Sequence, residues 1–298
     1  MTNSKTQHLQ LPPERKKKLE ISFEFFPPKT QKMEQTLWRA IQRLKILTPV
    51  FVSVTYGAGG TTRERTHNTV LRIKNDTNLK PAAHLTCVKA TRDEVDQIAR
   101  TYWNSGIKHI VALRGDVDNG QGRYTPHPEG YPYASDLIKG LKNIGDFEIS
   151  VAAYPEGHPD SPSFQHDLDN LKRKIDAGAD RAITQYFFET KTYLRFLEKV
   201  RAAGINLPIV PGILPVTNFA QIAKFSASCG CNVPIWMADL FAGLDQDPET
   251  RNLVAASVAI DQCRQLQNAG IDQFHIYTLN RADLAYSISH ILGLRPLQ

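Results

Sequence analysis

The chain is short of cysteine, of long apolar runs and of the glycine-rich loops that mark nucleotide-binding folds. Four cysteines (Cys87, Cys229, Cys231 and Cys263) in 298 residues are too few for a disulfide framework. No apolar leader opens the sequence, so they are expected to be free thiols in a reducing cytoplasm. Cys229 and Cys231 have no second ligand pair at zinc spacing, and no metal site is expected. The longest apolar stretch, Ile209 to Val216, holds two prolines and falls far short of the roughly 20 residues that span a bilayer. There is no G-x-G-x-x-G loop, no P-loop and no G-x-S-x-G elbow, and no lysine stands at a strand end as in a Schiff-base aldolase.

A composition of 41% apolar and 22% charged residues is that of a globular protein. The net charge is +6, but residues 1–20 hold Lys5, Arg15, Lys16, Lys17 and Lys18 against Glu14 and Glu20, which is half of the excess. Such a run reads as a flexible, solvated basic tail over 1–20, ahead of one domain over 21–298. Nucleic-acid binding would need a basic face interleaved with aromatics across the fold, and none stands out.

From residue 21 onward, short β-branched or apolar runs alternate with amphipathic stretches of helical period. The strands are expected at Ile21–Phe25, Phe51–Thr55, Ala82–Thr86, His109–Leu113, Ile149–Ala153, Ala182–Gln185, Pro208–Ile213 and Phe274–Thr278. Helix-like segments lie between them, with one long helical region from Asn218 to Ala269 and a last helix from Arg281 to Leu292. Eight near-continuous apolar strands, each followed by a helix, predict an α/β fold, a single (β/α)8 TIM barrel.

In such a barrel the chemistry sits where the strands end. Those positions carry Glu24, Thr55 and Tyr56, His84 and Thr86, Arg114-Gly-Asp116, Tyr154, Gln185 and Asn280-Arg281. Glu24 lies between Phe23 and Phe25-Phe26, and aromatic surroundings are expected to raise its pKa and make it a general acid. Arg114-Gly115-Asp116 offers a cation, a flexible backbone and an anion at one exit. After strand five, Asp167, Asn170 and Lys174 share one helix face, with Arg173 beside them. Periodicity alone yields a barrel enzyme with a buried acid and a polar mouth. It leaves open a metal-dependent barrel hydrolase built on His84, and a nucleic-acid binder working through the basic tail.

The strings at these ends are more specific. Ser22-Phe-Glu-Phe-Phe-Pro-Pro28, Phe51-Val-Ser-Val-Thr-Tyr-Gly57, His84-Leu-Thr-Cys87, Ala112-Leu-Arg-Gly-Asp116, Ala152-Ala-Tyr-Pro-Glu156, Ala182-Ile-Thr-Gln185, Pro211-Gly-Ile-Leu-Pro215 and Tyr277-Thr-Leu-Asn-Arg281 occur in order. Together they resemble the bacterial methylenetetrahydrofolate reductases from about residue 20 to residue 296. That resemblance implies a flavoprotein that uses NADH or NADPH to reduce 5,10-methylenetetrahydrofolate through FAD, in ping-pong fashion, for methionine synthesis. It implies that Glu24 is the general acid and that Asp116 tunes the flavin and holds folate. FAD would be bound by Thr55, Tyr56, Ala58, His84, Arg114, Gly115, Asp116, Ala134, Tyr154, His158, Asp167, Asn170, Arg173 and Lys174. Gln185, Gln221 and Arg281 would contact folate, and Phe225 would lie by the folate or nicotinamide ring.

The same resemblance implies a cytoplasmic homo-oligomer such as a tetramer, with small molecules as its ligands and neither nucleic acid nor membrane as a partner. Nothing follows Pro296 that would match the regulatory module of the longer eukaryotic enzymes, so control by S-adenosylmethionine is not expected. The loop Val117–Pro132 offers little to anchor it, and no role is carried onto it.

Overall fold

Because successive strand residues face opposite ways, each strand here divides its side chains between a wide outer core and a narrow interior. The computed structural model describes residues 18–56, 63–116 and 124–296. Its strands are β1 (Glu20–Phe25), β2 (Val52–Val54), β3 (Pro81–Thr86), β4 (His109–Leu113), β5 (Glu148–Ala153), β6 (Arg181–Thr184), β7 (Ile209–Val210), β8 (Gly212–Ile213) and β9 (Gln273–Tyr277). All pairings are parallel, in the order β7-β6-β5-β4-β3-β2-β1-β9-β8.

The expected strand Pro208–Ile213 is therefore broken. Pro211 has no N–H to give to a ladder, and the chain divides around it: β7 pairs with β6, while β8 pairs with β9. The Pro211 carbonyl still accepts from the His275 N–H at 3.0 Å, so the broken strand closes the barrel instead of adding a ninth position.

The helices are α1 (Gln31–Lys45), α2 (Arg63–Asp76), α3 (Arg92–Asn104), α4 (Ala134–Ile144), α5 (Phe164–Asp176), α6 (Thr190–Ala202), α7 (Phe219–Cys229), α8 (Ile235–Phe241), α9 (Pro248–Asn268) and α10 (Ala282–Leu292). Thr91 and Glu94 cap α3 reciprocally, and Ser163 caps α5 by accepting from the His166 N–H. The single long region expected over 218–269 is instead three helices. Gly230 ends α7 in a left-handed conformation at φ 69°, Pro234 caps α8, and Asp247 with Pro248 starts α9.

Ile21, Phe23 and Phe25 of β1 point outward into the core between strands and helices, joined by Val52, Val54, Leu85, Ile110, Ile149, Val151, Phe274 and Ile276. Burial of each such side chain contributes about 1.5–3 kcal/mol. A second, separate apolar cluster of Phe51, Ala82, Val111, Ile183 and Val210 lies on the inward face of the same sheet. Leu19 is buried and Glu20 opens β1, so the barrel begins slightly earlier than the boundary expected at residue 21. Within the segment expected to be unanchored, the Tyr124 hydroxyl donates to the Pro132 carbonyl at 2.8 Å and the Tyr131 hydroxyl to Asp96 at 2.7 Å, so its described part is tied down at both ends. No helix among the described residues is long and apolar enough to cross a membrane.

Candidate active site

Glu24 points into the barrel near the end of β1, with its side chain 11% exposed. His275 Nε2, from β9, lies 3.4 Å from Glu24 Oε2, and His84 Nε2, from β3, lies 3.3 Å from the same oxygen. The other ring nitrogen of His275 is 2.7 Å from Ser22 Oγ, and that hydroxyl also lies 3.4 Å from the Phe274 carbonyl. This set satisfies both protonation states of His275. A neutral ring donates from Nε2 to Glu24 and accepts the Ser22 hydrogen; a cationic ring donates from both nitrogens while Ser22 turns to Phe274.

The expectation that aromatic neighbours raise Glu24 is corrected here. Burial does push the carboxyl up, but the hydrogen bond from His275, the charge of His84 and further help from both rings outweigh it, and the carboxyl is held at about 2. Phe23 and Phe25 alternate with Glu24 and face the outer core, so the neighbours in sequence are not the neighbours in space.

Beside this throat, a cavity of about 1260 Å³ opens over the ends of β3, β4 and β5 and along α5. It exceeds the roughly 300–1,000 Å³ of ordinary small-molecule pockets. Of the residues expected to bind a cofactor, Tyr56, Arg114, Gly115, Asp116, Ala134, Tyr154, His158, Asp167, Asn170, Arg173 and Lys174 all line it. Their local structure is orderly. The Asp167 carboxylate accepts from the His158 N–H at 2.9 Å, which fixes the turn after β5 on the first turn of α5. Arg114 reaches across the mouth to Asp160 at 2.8 Å and lies 3.7 Å from Asp116, with its guanidinium over the Tyr124 ring at 4.5 Å.

Lys174 is half-buried and its Nζ donates to the Ala152 carbonyl at 2.8 Å. Burial lowers its pKa to about 8, Asp167 partly opposing and Arg114 assisting. The buried Thr86 hydroxyl, also on the cavity wall, has no hydrogen-bond partner among the described residues. A half-buried cation with one neutral partner and an unsatisfied hydroxyl are what a large polar anion would complete.

The remaining expected residues stand apart from the cavity wall. Thr55 follows β2, where its carbonyl accepts from Thr66, and His84 is committed to Glu24. The Gln185 side chain accepts from the Tyr186 N–H, Gln221 and Phe225 are exposed on α7, and Arg281 is the exposed N-cap of α10. Phe225 is nevertheless tied to the throat through rings: it stacks on Tyr186 at 6.2 Å, Tyr186 meets Tyr277 at 6.5 Å, and Tyr277 meets His275 edge-on at 5.3 Å. Ala58 lies outside the described residues.

Ser22, His275 and Tyr277 are functional candidates that strand-end reading misses. Their signal is period two: Ser22 with Glu24, and His275 with Tyr277, are polar pairs on the inward face of apolar strands. Among the described residues no three of His, Cys, Asp and Glu come together as metal ligands, which leaves the hydrolase reading without a site to argue from.

Comparison with known proteins identifies the family. The family model for methylenetetrahydrofolate reductase matches residues 8–293. The chain is 56% identical over 278 residues to the 5,10-methylenetetrahydrofolate reductase of Escherichia coli (strain K12), covering 93% of this chain and 92% of that one. It is 36% identical to methylenetetrahydrofolate reductase (NADH) 1 of Arabidopsis thaliana, covering 92% of this chain but 48% of the plant protein. Among solved structures, a Clostridium thermocellum protein that binds two copies of 5-methyl-5,6,7,8-tetrahydrofolic acid superposes with a TM-score of 0.60 at 16% identity, covering 92% of this chain and 94% of that one; it bears on the fold alone.

Proposed function

The chain belongs to the methylenetetrahydrofolate reductase family, and from that premise we propose that it reduces 5,10-methylenetetrahydrofolate to 5-methyltetrahydrofolate with NADH or NADPH as donor and FAD as cofactor. The observation that carries the reading is a buried carboxylate, Glu24, paired with His275 beside a large cavity walled by Lys174, Arg173 and Arg114. When bound, FAD would supply the hydride chemistry, taking hydride from the nicotinamide and passing it to folate.

The chain's own residues would do the rest. Lys174, Arg173 and the N-terminal half of α5 suit the diphosphate, and Thr86 and the Arg114-Gly115-Asp116 turn face the same space. Tyr56 and Tyr154 would wall the ring end, with the Tyr154 hydroxyl pushed up from its ordinary pKa by desolvation. Glu24 would give a proton to the folate nitrogen that leaves when the five-membered ring opens. Because His275 and His84 hold the Glu24 carboxyl well below the usual carboxylate range, the proton would be drawn from the pair it makes with His275, with Ser22 re-satisfying the ring as the proton leaves. Phe225 and Gln221, exposed on α7, would close over whichever of folate or nicotinamide is present, and Gln185 and Arg281 would hold folate. One mouth serving both substrates is a ping-pong arrangement. A homo-oligomer working in the cytoplasm to supply methyl groups for methionine synthesis belongs to the same reading.

The test is the visible spectrum of the purified protein before and after anaerobic NADH. A flavin band that bleaches with NADH and returns with methylenetetrahydrofolate is expected. A band answering only to NADPH would change the donor, and a protein that takes up no FAD would overturn the proposal.

A further inference from the structure

The interior of the barrel is layered, and one aromatic ring forms its middle. Phe51, just before β2, is 3% exposed and stacks on His275 at 5.8 Å with the planes 22° apart. Its other neighbours come from the far side of the barrel: the His109 ring of β4 meets it edge-on at 4.5 Å, and the Arg181 guanidinium of β6 lies 5.2 Å from its centre. A side chain from the entry to β2 that touches β4, β6 and β9 at once must lie across the axis. Ala82, Val111, Ile183 and Val210 complete an apolar layer around it.

The two sides of that layer differ. Above it, His275 is paired with Glu24 and Ser22 and has no exposed surface. Below it, His109 Nε2 lies 2.8 Å from Ser150 Oγ, and Arg181 pairs with Glu148. The Arg181 and Glu148 side chains are 24% and 45% exposed, so the lower side reaches solvent at the N-terminal ends of the strands. A single ring thus separates the partner of Glu24 from the barrel floor.

We propose that Phe51 is a positioning residue: it fixes the His275 ring and seals the barrel floor, so that the Glu24–His275–Ser22 set exchanges protons only through the substrate mouth. This rests on the reading of Glu24 as the proton donor. The titratable and charged groups around the set are Glu24, His84, His109, Arg181 and Tyr277. Burial, then the charges of Arg181 and His275, lower His109 to about 3, so it stays neutral and carries no proton to the lower face of the ring.

The experiment compares Phe51→Ala, Phe51→Leu and Glu24→Gln in the FAD-loaded protein. Flavin bleaching by the nicotinamide and its return with methylenetetrahydrofolate are followed separately across pH, together with solvent exchange of the His275 ring hydrogen by NMR on histidine-labelled protein. In Phe51→Ala, water reaching His275 from below weakens its hold on Glu24, whose carboxyl returns toward the ordinary range. The folate step is expected to slow about tenfold or more, its acid limb to move to higher pH by about one unit, and His275 exchange to accelerate, with bleaching within about twofold of the parent. Phe51→Leu refills the layer and is expected to restore the pH limb and the slow exchange.

If Phe51→Ala does not fold, Phe51→Val replaces it with the same expected directions. Unchanged exchange and an unchanged pH limb, with the folate step lost in Glu24→Gln, overturn the seal alone. A folate step that survives in Glu24→Gln overturns the donor reading, whatever Phe51 does.

Discussion

The throat around Glu24 and the cavity beyond β4 both hold charge inside an apolar frame, yet they satisfy it differently. In the throat most polar groups already have their partner in the chain: His275 lies 3.4 Å from Glu24 and also meets Ser22, and Tyr277 donates to the Thr184 carbonyl at 2.7 Å, while His84 Nε2 lies 3.3 Å from Glu24 without an aligned hydrogen bond among the described residues. In the cavity, half-buried Lys174 donates only to a neutral carbonyl, and the Thr86 hydroxyl has no partner among the described residues. The cost shows in the pKa shifts. Burial is outweighed at Glu24, which falls to about 2, and it wins at Lys174, which falls to about 8. A self-satisfied cluster can hold and hand on a proton without a ligand, whereas an incomplete one is built to be finished by a ligand.

The largest expected effect breaks the throat. Glu24→Gln keeps the shape but cannot carry the proton, so folate-driven flavin reoxidation should fall by about 10²–10⁴-fold while nicotinamide-driven bleaching persists; rapid mixing of the two halves checks this. The same residue carries an acid signature. Its folded pKa lies below the ordinary carboxylate value, so its contribution to stability is present above about pH 4.5 and is lost as pH falls toward 2. Acid titration of unfolding should show that loss in the parent and not in Glu24→Gln.

The next effect tests the cavity. Lys174→Met should weaken FAD binding by about 10–100-fold, the 1.5–3 kcal/mol of a charge-assisted hydrogen bond. In the parent, affinity should fall as pH rises above about 8, where the empty protein loses this cation, with a slope of up to about tenfold per pH unit. The variant should lack that slope. Fluorescence titration of FAD from pH 7 to 9.5 measures both.

A smaller effect probes how tightly the throat is packed. A Cβ at Gly212 would lie 2.3 Å from the Thr184 carbonyl and 2.6 Å from the Tyr277 ring. Gly212→Ala should therefore displace Tyr277 and cost about 1–3 kcal/mol, read as a lower unfolding midpoint with cofactor affinity unchanged.

The barrel was legible because its signals are periodic, and His109–Leu113 appears as a strand with those very bounds. The break at Pro211 was less so, since a proline that stops one ladder bond is visible while the partner strands on either side are not. The cavity wall on α5 was legible because Asp167, Asn170 and Lys174 share a helical face, and the family resemblance then gave that face a purpose. The charge state of Glu24 was not. It depends on His84 and His275, one of them 251 residues away, and no local window contains them. His275 itself reads as one polar residue in an apolar strand until the closure of β9 on β1 sets it against Glu24.

The smallest effect sharpens the same contrast at the rim. Arg114 and Asp160 pair at 2.8 Å with side chains 22% and 53% exposed. Solvent and salt screen such a pair, which is worth about 0.2–1 kcal/mol. Asp160→Asn should therefore shift the unfolding midpoint only slightly and change FAD affinity by less than about fivefold, with the residual effect vanishing in high salt. It should leave the pH profile of the folate step untouched, because the throat draws its charge balance from His84 and His275. A change in affinity well beyond that would mean that the cavity, like the throat, completes its own charges before any ligand arrives, and the distinction between the two regions would fail.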